Sequence, residues 1–103
     1  MNIVYHLPFD LIACKFNQRL DNWNVSNVES MEATFFNARK FNKNIDNWNV
    51  SKVENMNYMF AYALLFNYDL DNWNKKNLKT KYRIFYENPI TFNRNKNILW
   101  VYN

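Results

Sequence analysis

The sequence predicts an α/β repeat solenoid, with short parallel strands on one face and short helices on the other, stacked in about three and a half turns. Three observations carry that expectation. Phe41 to Leu65 is a unit of 25 residues whose letters recur one unit earlier and one unit later. Within each of the two full units the apolar spacing changes from scattered positions to steps of three and four, and a Ser-x-x-Glu pattern marks the change. No single unit can bury its own Phe, Trp and Met faces, so successive units must cover one another.

The elements follow in chain order. Residues 1–15 lack the opening letters of the unit but end in register, since Ala13 precedes Ala38 and Ala63 by whole units; they read as an N-terminal cap, a preceding half repeat. The first repeat spans 16–40 and the second 41–65, opening on Phe16-Asn17 and Phe41-Asn42 and continuing as Asp21-Asn22-Trp23-Asn24 and Asp46-Asn47-Trp48-Asn49. Asn and Asp punctuation leaves room only for a short strand in this half. Ser26-Asn27-Val28-Glu29 and Ser51-Lys52-Val53-Glu54 have the form of a capping box. Behind them Val28, Met31, Phe35 and Ala38, and then Val53, Met56, Phe60 and Ala63, predict one apolar stripe on a helix of about three turns. The third repeat, 66–91, is degenerate: Lys76, Lys79 and Lys81 replace Ser, Glu and Met, while Leu78 and Phe85 keep the stripe. Residues 92–103 read as a C-terminal cap, with a strand-like run from Ile98 to Tyr102. Strands pack about 4.8 Å apart and helices about 8–10 Å. The helix side therefore splays, which is a leucine-rich-repeat type of geometry.

The letters Phe-Asn, Trp-Asn-Val-Ser, Val, Met, Phe and Ala resemble the BspA-like surface-protein repeat, also described as lipoprotein-associated. Here they stand as FNQRLDNWNVSNVESMEATFFNARK and FNKNIDNWNVSKVENMNYMFAYALL, and the resemblance covers residues 9–93. It implies a leucine-rich-repeat-like fold, cell-surface display, and adhesion or protein binding, with no catalytic residues to carry over. The residues themselves leave an intracellular or viral setting equally open.

Composition sets further bounds. At 103 residues the chain is one domain. It has no glycine and 21 asparagines, so tight turns that need positive φ are expected to fall to asparagine, the next most tolerant residue. Cys14 is the one cysteine, which excludes an internal disulfide, and no apolar run is long enough to span a membrane. Leu11-Ile12-Ala13-Cys14 has the form of a lipidation site. Met1 to Phe9 carries no Lys or Arg, however, and the repeat register already accounts for Ala13, so Cys14 reads as a cap residue.

An enzyme is not expected. His6 is the only histidine, the three serines sit at the start of the expected helices, and no zinc-binding cluster or phosphate-cradling loop is present. No cofactor or metal is expected either. The Asp21, Asp46, Asp71 column reads as turn-forming, and Asn17, Asn42, Asn67 and Asn93 read as a ladder of amides serving loop backbone. Trp23, Trp48 and Trp73 read as core. Asn24-Val25-Ser26 and Asn49-Val50-Ser51 match a glycosylation sequon but coincide with the expected cap.

The positions that vary between units are Gln18, Lys43 and Tyr68, and beside them Arg19, Asn44 and Asp69. They are the expected contact residues of a protein-interaction module. A second reading rests on charge. Up to Trp73 there are 6 Lys/Arg against 8 Asp/Glu, and from Asn74 there are 7 against 1. Lys75, Lys79 and Arg83 share a helix face by spacing, with Lys76, Arg94 and Lys96 near, and could meet nucleic acid or an anionic membrane. A third reading is a decayed piece of a longer array, and the run Ile98 to Tyr102 suggests self-association through a strand edge.

Overall fold

In the computed structural model, which describes residues 17–88, the unit folds as a succession of β-turns. Unit two shows the scheme. Trp48 N–H donates to the Ile45 carbonyl, Val53 to Val50, Met59 to Met56, Ala61 to Tyr58, Ala63 to Phe60, and Phe66 to Ala63, all within 3.0–3.2 Å. Each bond closes a four-residue turn whose ends lie close together. Most of these ends are the apolar letters of the repeat, and the paired ends enter one core together.

The α/β solenoid of strands and helices is therefore overturned. Among the described residues there is no helix, and the only β-pairing is two isolated parallel bridges, Ser30 to Asn55 and Asn55 to Thr80. Both bridges fall in the half expected to be helical, and the half expected to be strand has none. The leucine-rich-repeat-like arrangement goes with them. Of the steps of three that suggested a helical stripe, Phe35 to Ala38 and Phe60 to Ala63 are the two ends of β-turns, whereas Met31 and Met56 donate to the neighbouring unit instead of to Val28 and Val53.

The backbone geometry explains why no helix forms. Ala33, Asn37, Tyr58, Tyr62, Arg83 and Glu87 have φ between 52° and 61°, two per unit at equivalent places. For residues with a β-carbon this left-handed conformation costs roughly 1–2 kcal/mol each. In return it turns alternate N–H groups toward the neighbouring unit. Met31, Ala33, Phe35 and Asn37 donate to the carbonyls of Asn55, Asn57, Met59 and Ala61, at 2.8–2.9 Å. Met56, Tyr58, Phe60 and Tyr62 donate in the same way to Thr80, Tyr82, Ile84 and Tyr86, at 2.8–3.0 Å. The remaining N–H groups close the internal turns, and Asn57 N–H donates to Asn55 Oδ1. In unit two, every backbone donor from Met56 to Ala63 thus has a protein partner, as a buried segment requires.

Between the units runs the core. Phe35, Phe60 and Phe85 stack face to face, with centroids 5.5 and 5.4 Å apart. Phe41 and Phe66 form a second column at 5.8 Å, joined to the first by contacts of 4.3 Å. Met31, Met56, Leu70 and Ile84 are fully buried around them. Burying each such side chain stabilises by about 1.5–3 kcal/mol.

Trp48 and Trp73 are buried, and their indole N–H groups donate to the carbonyls of Leu20 and Ile45 in the preceding unit, at 2.8 and 3.0 Å. Trp23, expected in the core, is instead 40% exposed, and no described unit precedes it. At the other end Asn88 stands where Ala38 and Ala63 stand; fully buried, it donates to the Ala63 carbonyl at 2.8 Å. The two caps, with Cys14, Asn93, Arg94, Lys96 and the Ile98 to Tyr102 run, lie outside the described residues. No helix among the described residues is long and apolar enough to cross a membrane.

Candidate interaction surfaces

The loop halves of the units are joined by side chains rather than by a backbone ladder. Asn42 N–H donates to Asn17 Oδ1 at 3.0 Å, and Asn67 N–H to Asn42 Oδ1 at 3.4 Å, so the expected asparagine ladder forms across the described units. Asn47 adds a bond to the Asp21 carbonyl at 2.9 Å. The six variable positions follow this ladder directly in the chain, which brings Gln18, Lys43 and Tyr68, and then Arg19, Asn44 and Asp69, into successive equivalent places.

Several of the six have structural work. Asn44 and Asp69 each accept the N–H two residues on, from Asp46 and Asp71, at 3.0 and 2.9 Å. These are Asx-turns, which set the loop conformation. Tyr68 is partly buried against the core beside Phe66. Arg19 holds Asp21 with two parallel bonds of 3.1 and 2.9 Å. That hydrogen bond raises the Arg19 pKa above its usual value and keeps the Asp21 carboxyl below its own. Gln18 is exposed, and Lys43 partly so.

The capping boxes are replaced by the same turn chemistry. Asn24 Oδ1 accepts from both the N–H and the hydroxyl of Ser26, at 3.0 and 2.7 Å, and Asn49 accepts the Ser51 N–H at 3.1 Å. Asn74 accepts the Lys76 N–H at 3.1 Å, which is why lysine substitutes for serine there without breaking the turn.

With no helix, Lys75, Lys79 and Arg83 do not share a helical face. Lys79 pairs with Glu54 at 3.3 Å, and the Lys75 ammonium turns back to the Trp73 carbonyl at 3.0 Å. Burial lowers the Lys75 pKa, partly offset by Asp71 and Asp69. Lys76 remains exposed. Arg83 lies over the rings of Tyr82 and Tyr86, 5.2 and 4.6 Å from their centroids.

Those tyrosines belong to a surface the sequence reading missed. On the outer side of the turns Tyr58 meets Tyr82 at 5.6 Å and Tyr62 meets Tyr86 at 5.7 Å, with planes at 85° and 83°. Phe36 meets Tyr58 at 6.4 Å and Tyr62 at 5.7 Å, again edge to face. The signal was an offset of 24 rather than 25, the register of the hydrogen bonds from Tyr58 N–H to Tyr82 and from Tyr62 N–H to Tyr86.

Among the described residues, no three His, Cys, Asp or Glu side chains stand close enough to hold a metal ion. A family model described as "Mycoplasma protein of unknown function, DUF285" matches residues 8–102, in keeping with a BspA-like resemblance but silent on the form of the repeat. No curated protein and no solved structure matches the chain.

Proposed function

This chain belongs to the DUF285 family, and from that premise we propose that it is a non-catalytic protein-interaction module built from BspA-like 25-residue units, serving adhesion or recognition. It binds a partner protein through the column of variable loop residues. The observation that carries the reading is the Asn17, Asn42, Asn67 ladder, which fixes the backbone while the residues after it change from unit to unit. Because Asn44 and Asp69 shape their own turns, recognition falls mainly on Gln18, Arg19 and Lys43, with Tyr68 as the apolar contact.

Association with nucleic acid or an anionic membrane through Lys75, Lys76, Lys79 and Arg83 has less support. Lys79 is paired and Lys75 is turned inward, and without a helix the four do not form one basic face.

The test is capture of a surface-protein partner from the source cells by the immobilised chain. Alanine at Gln18, Arg19 and Lys43 should abolish capture, and raised salt should weaken it only modestly. Capture unchanged by the triple substitution would sink the reading. Protease shaving of intact cells gives the compartment: rapid loss of the protein places it outside, and protection until lysis removes the adhesion role.

A further inference from the structure

We propose that the outer aromatic face, Phe36, Tyr58, Tyr62, Tyr82 and Tyr86 with Arg83, docks an acidic segment of a partner protein. The inference rests on the reading of the chain as a protein-interaction module but assigns a second surface, on the turn half of the units.

The face is a concentration, not a scatter. Four of the chain's seven tyrosines lie in it, Tyr58 and Tyr62 partly exposed and Tyr82 and Tyr86 exposed, while the other exposed positions among the described residues are mostly Asn and Lys. Tyr82 is 55% and Tyr86 37% exposed. The rings meet edge to face across the units, on residues whose backbones join the inter-unit ladder. Rigid tyrosines with an arginine among them are the composition that concentrates binding energy at protein interfaces.

The charge selects the occupant. Residues 74–88 carry five Lys/Arg and one Glu. Among the described residues Arg83 has no carboxylate within ion-pair distance, in contrast to Arg19 and Lys79. Its guanidinium carbon lies over the rings of Tyr82 and Tyr86, and a carboxylate can meet a guanidinium fork with two bonds.

Single-stranded nucleic acid fits the face less well. Base stacking needs open, parallel ring faces, whereas these rings stand at 80–85° to one another and Arg83 covers two of them.

The test is fluorescence anisotropy with a fluorescein-labelled peptide of repeating Glu-Leu-Ser triplets, its counterpart with lysine for glutamate, and labelled polyuridylate. The acidic peptide should bind and the lysine peptide should not. Arg83→Gln keeps a β-carbon at the positive-φ position and should weaken binding about tenfold or more. Arg83→Lys should rescue it only in part, and Tyr82→Ser should weaken it several-fold, with unfolding midpoints unchanged. Gln18→Ala and Lys43→Ala should have no effect. No binding of the acidic peptide, indifference to Arg83→Gln, or polyuridylate binding as tightly would each overturn the proposal. Sensitivity to Gln18 and Lys43 alone would overturn it while supporting the loop column, whose own test is the capture experiment.

Discussion

Ala33→Gly should stabilise this protein, against the usual direction for glycine. Ala33 has a φ of 58°. Its β-carbon costs roughly 1–2 kcal/mol in that conformation, and glycine removes the cost. Two terms offset the gain. Glycine is freer in the unfolded chain, worth about 0.4–1 kcal/mol, and part of a half-buried methyl is lost, at about 0.8 kcal/mol for a fully buried one. The balance is a gain of about 0.5 kcal/mol. Ala38→Gly is the control. Ala38 is fully buried and is not among the positive-φ residues, so the same substitution loses backbone entropy and a buried methyl together, about 1–2 kcal/mol. The two variants differ by the same atoms and should separate by about 2 kcal/mol. With a urea slope of roughly 1–3 kcal/mol per molar, their unfolding midpoints should differ by about 1 M, with Ala33→Gly above the parent and Ala38→Gly below it. Equal destabilisation by both would refute the left-handed turn at Ala33, and with it the account of why no helix forms.

Other substitutions probe the joints between units. Trp48→Phe keeps a ring near Phe35 but strips the indole donor from the Leu20 carbonyl; thermal unfolding should show a loss of about 1–3 kcal/mol, against under about 0.5 kcal/mol for exposed Trp23→Phe. Asn88→Ala restores the residue found in the other units yet removes the amide from the Ala63 carbonyl, which keeps only the Phe66 N–H, and should cost about 0.5–1.5 kcal/mol in denaturant unfolding. Lys75→Val continues the buried Val25 and Val50 positions and should add roughly 1 kcal/mol at neutral pH through apolar burial. Because burial holds the Lys75 pKa below its ordinary 10.5, the charged amine burdens the fold fully at low pH and progressively less as pH rises toward that value. The advantage of the valine variant, followed by unfolding midpoints across pH, should therefore shrink under alkaline conditions.

What the sequence made legible was whatever repeats at a spacing of one unit. The columns Phe35, Phe60, Phe85 and Phe41, Phe66 are buried where the recurring letters put them. The asparagine ladder forms because an amide at the same place in each unit can reach the next backbone. The absence of a helix was illegible for a physical reason: apolar residues three apart mark both a helical face and the two ends of a β-turn. The deciding feature, left-handed backbone at residues such as Tyr58 and Tyr62, runs against their intrinsic preference. It is held by tertiary hydrogen bonds that no local pattern reveals.

The candidate surfaces divide along the same line. Core side chains meet their equivalents 25 residues away, since Phe35 stacks on Phe60. The ladder beneath them is shifted by one residue, since Phe35 N–H donates to Met59. Outward rings follow that backbone register, so Tyr58 meets Tyr82 and Tyr62 meets Tyr86. A search for columns at the repeat length therefore finds the core and the loop positions Gln18 and Lys43, and passes over the tyrosines. Repetition in such a chain records what the units need from each other in order to pack. Its outward tyrosine pairs are set by the hydrogen-bond offset, and Arg83 joins them through the rings beside it in its own unit, Tyr82 and Tyr86.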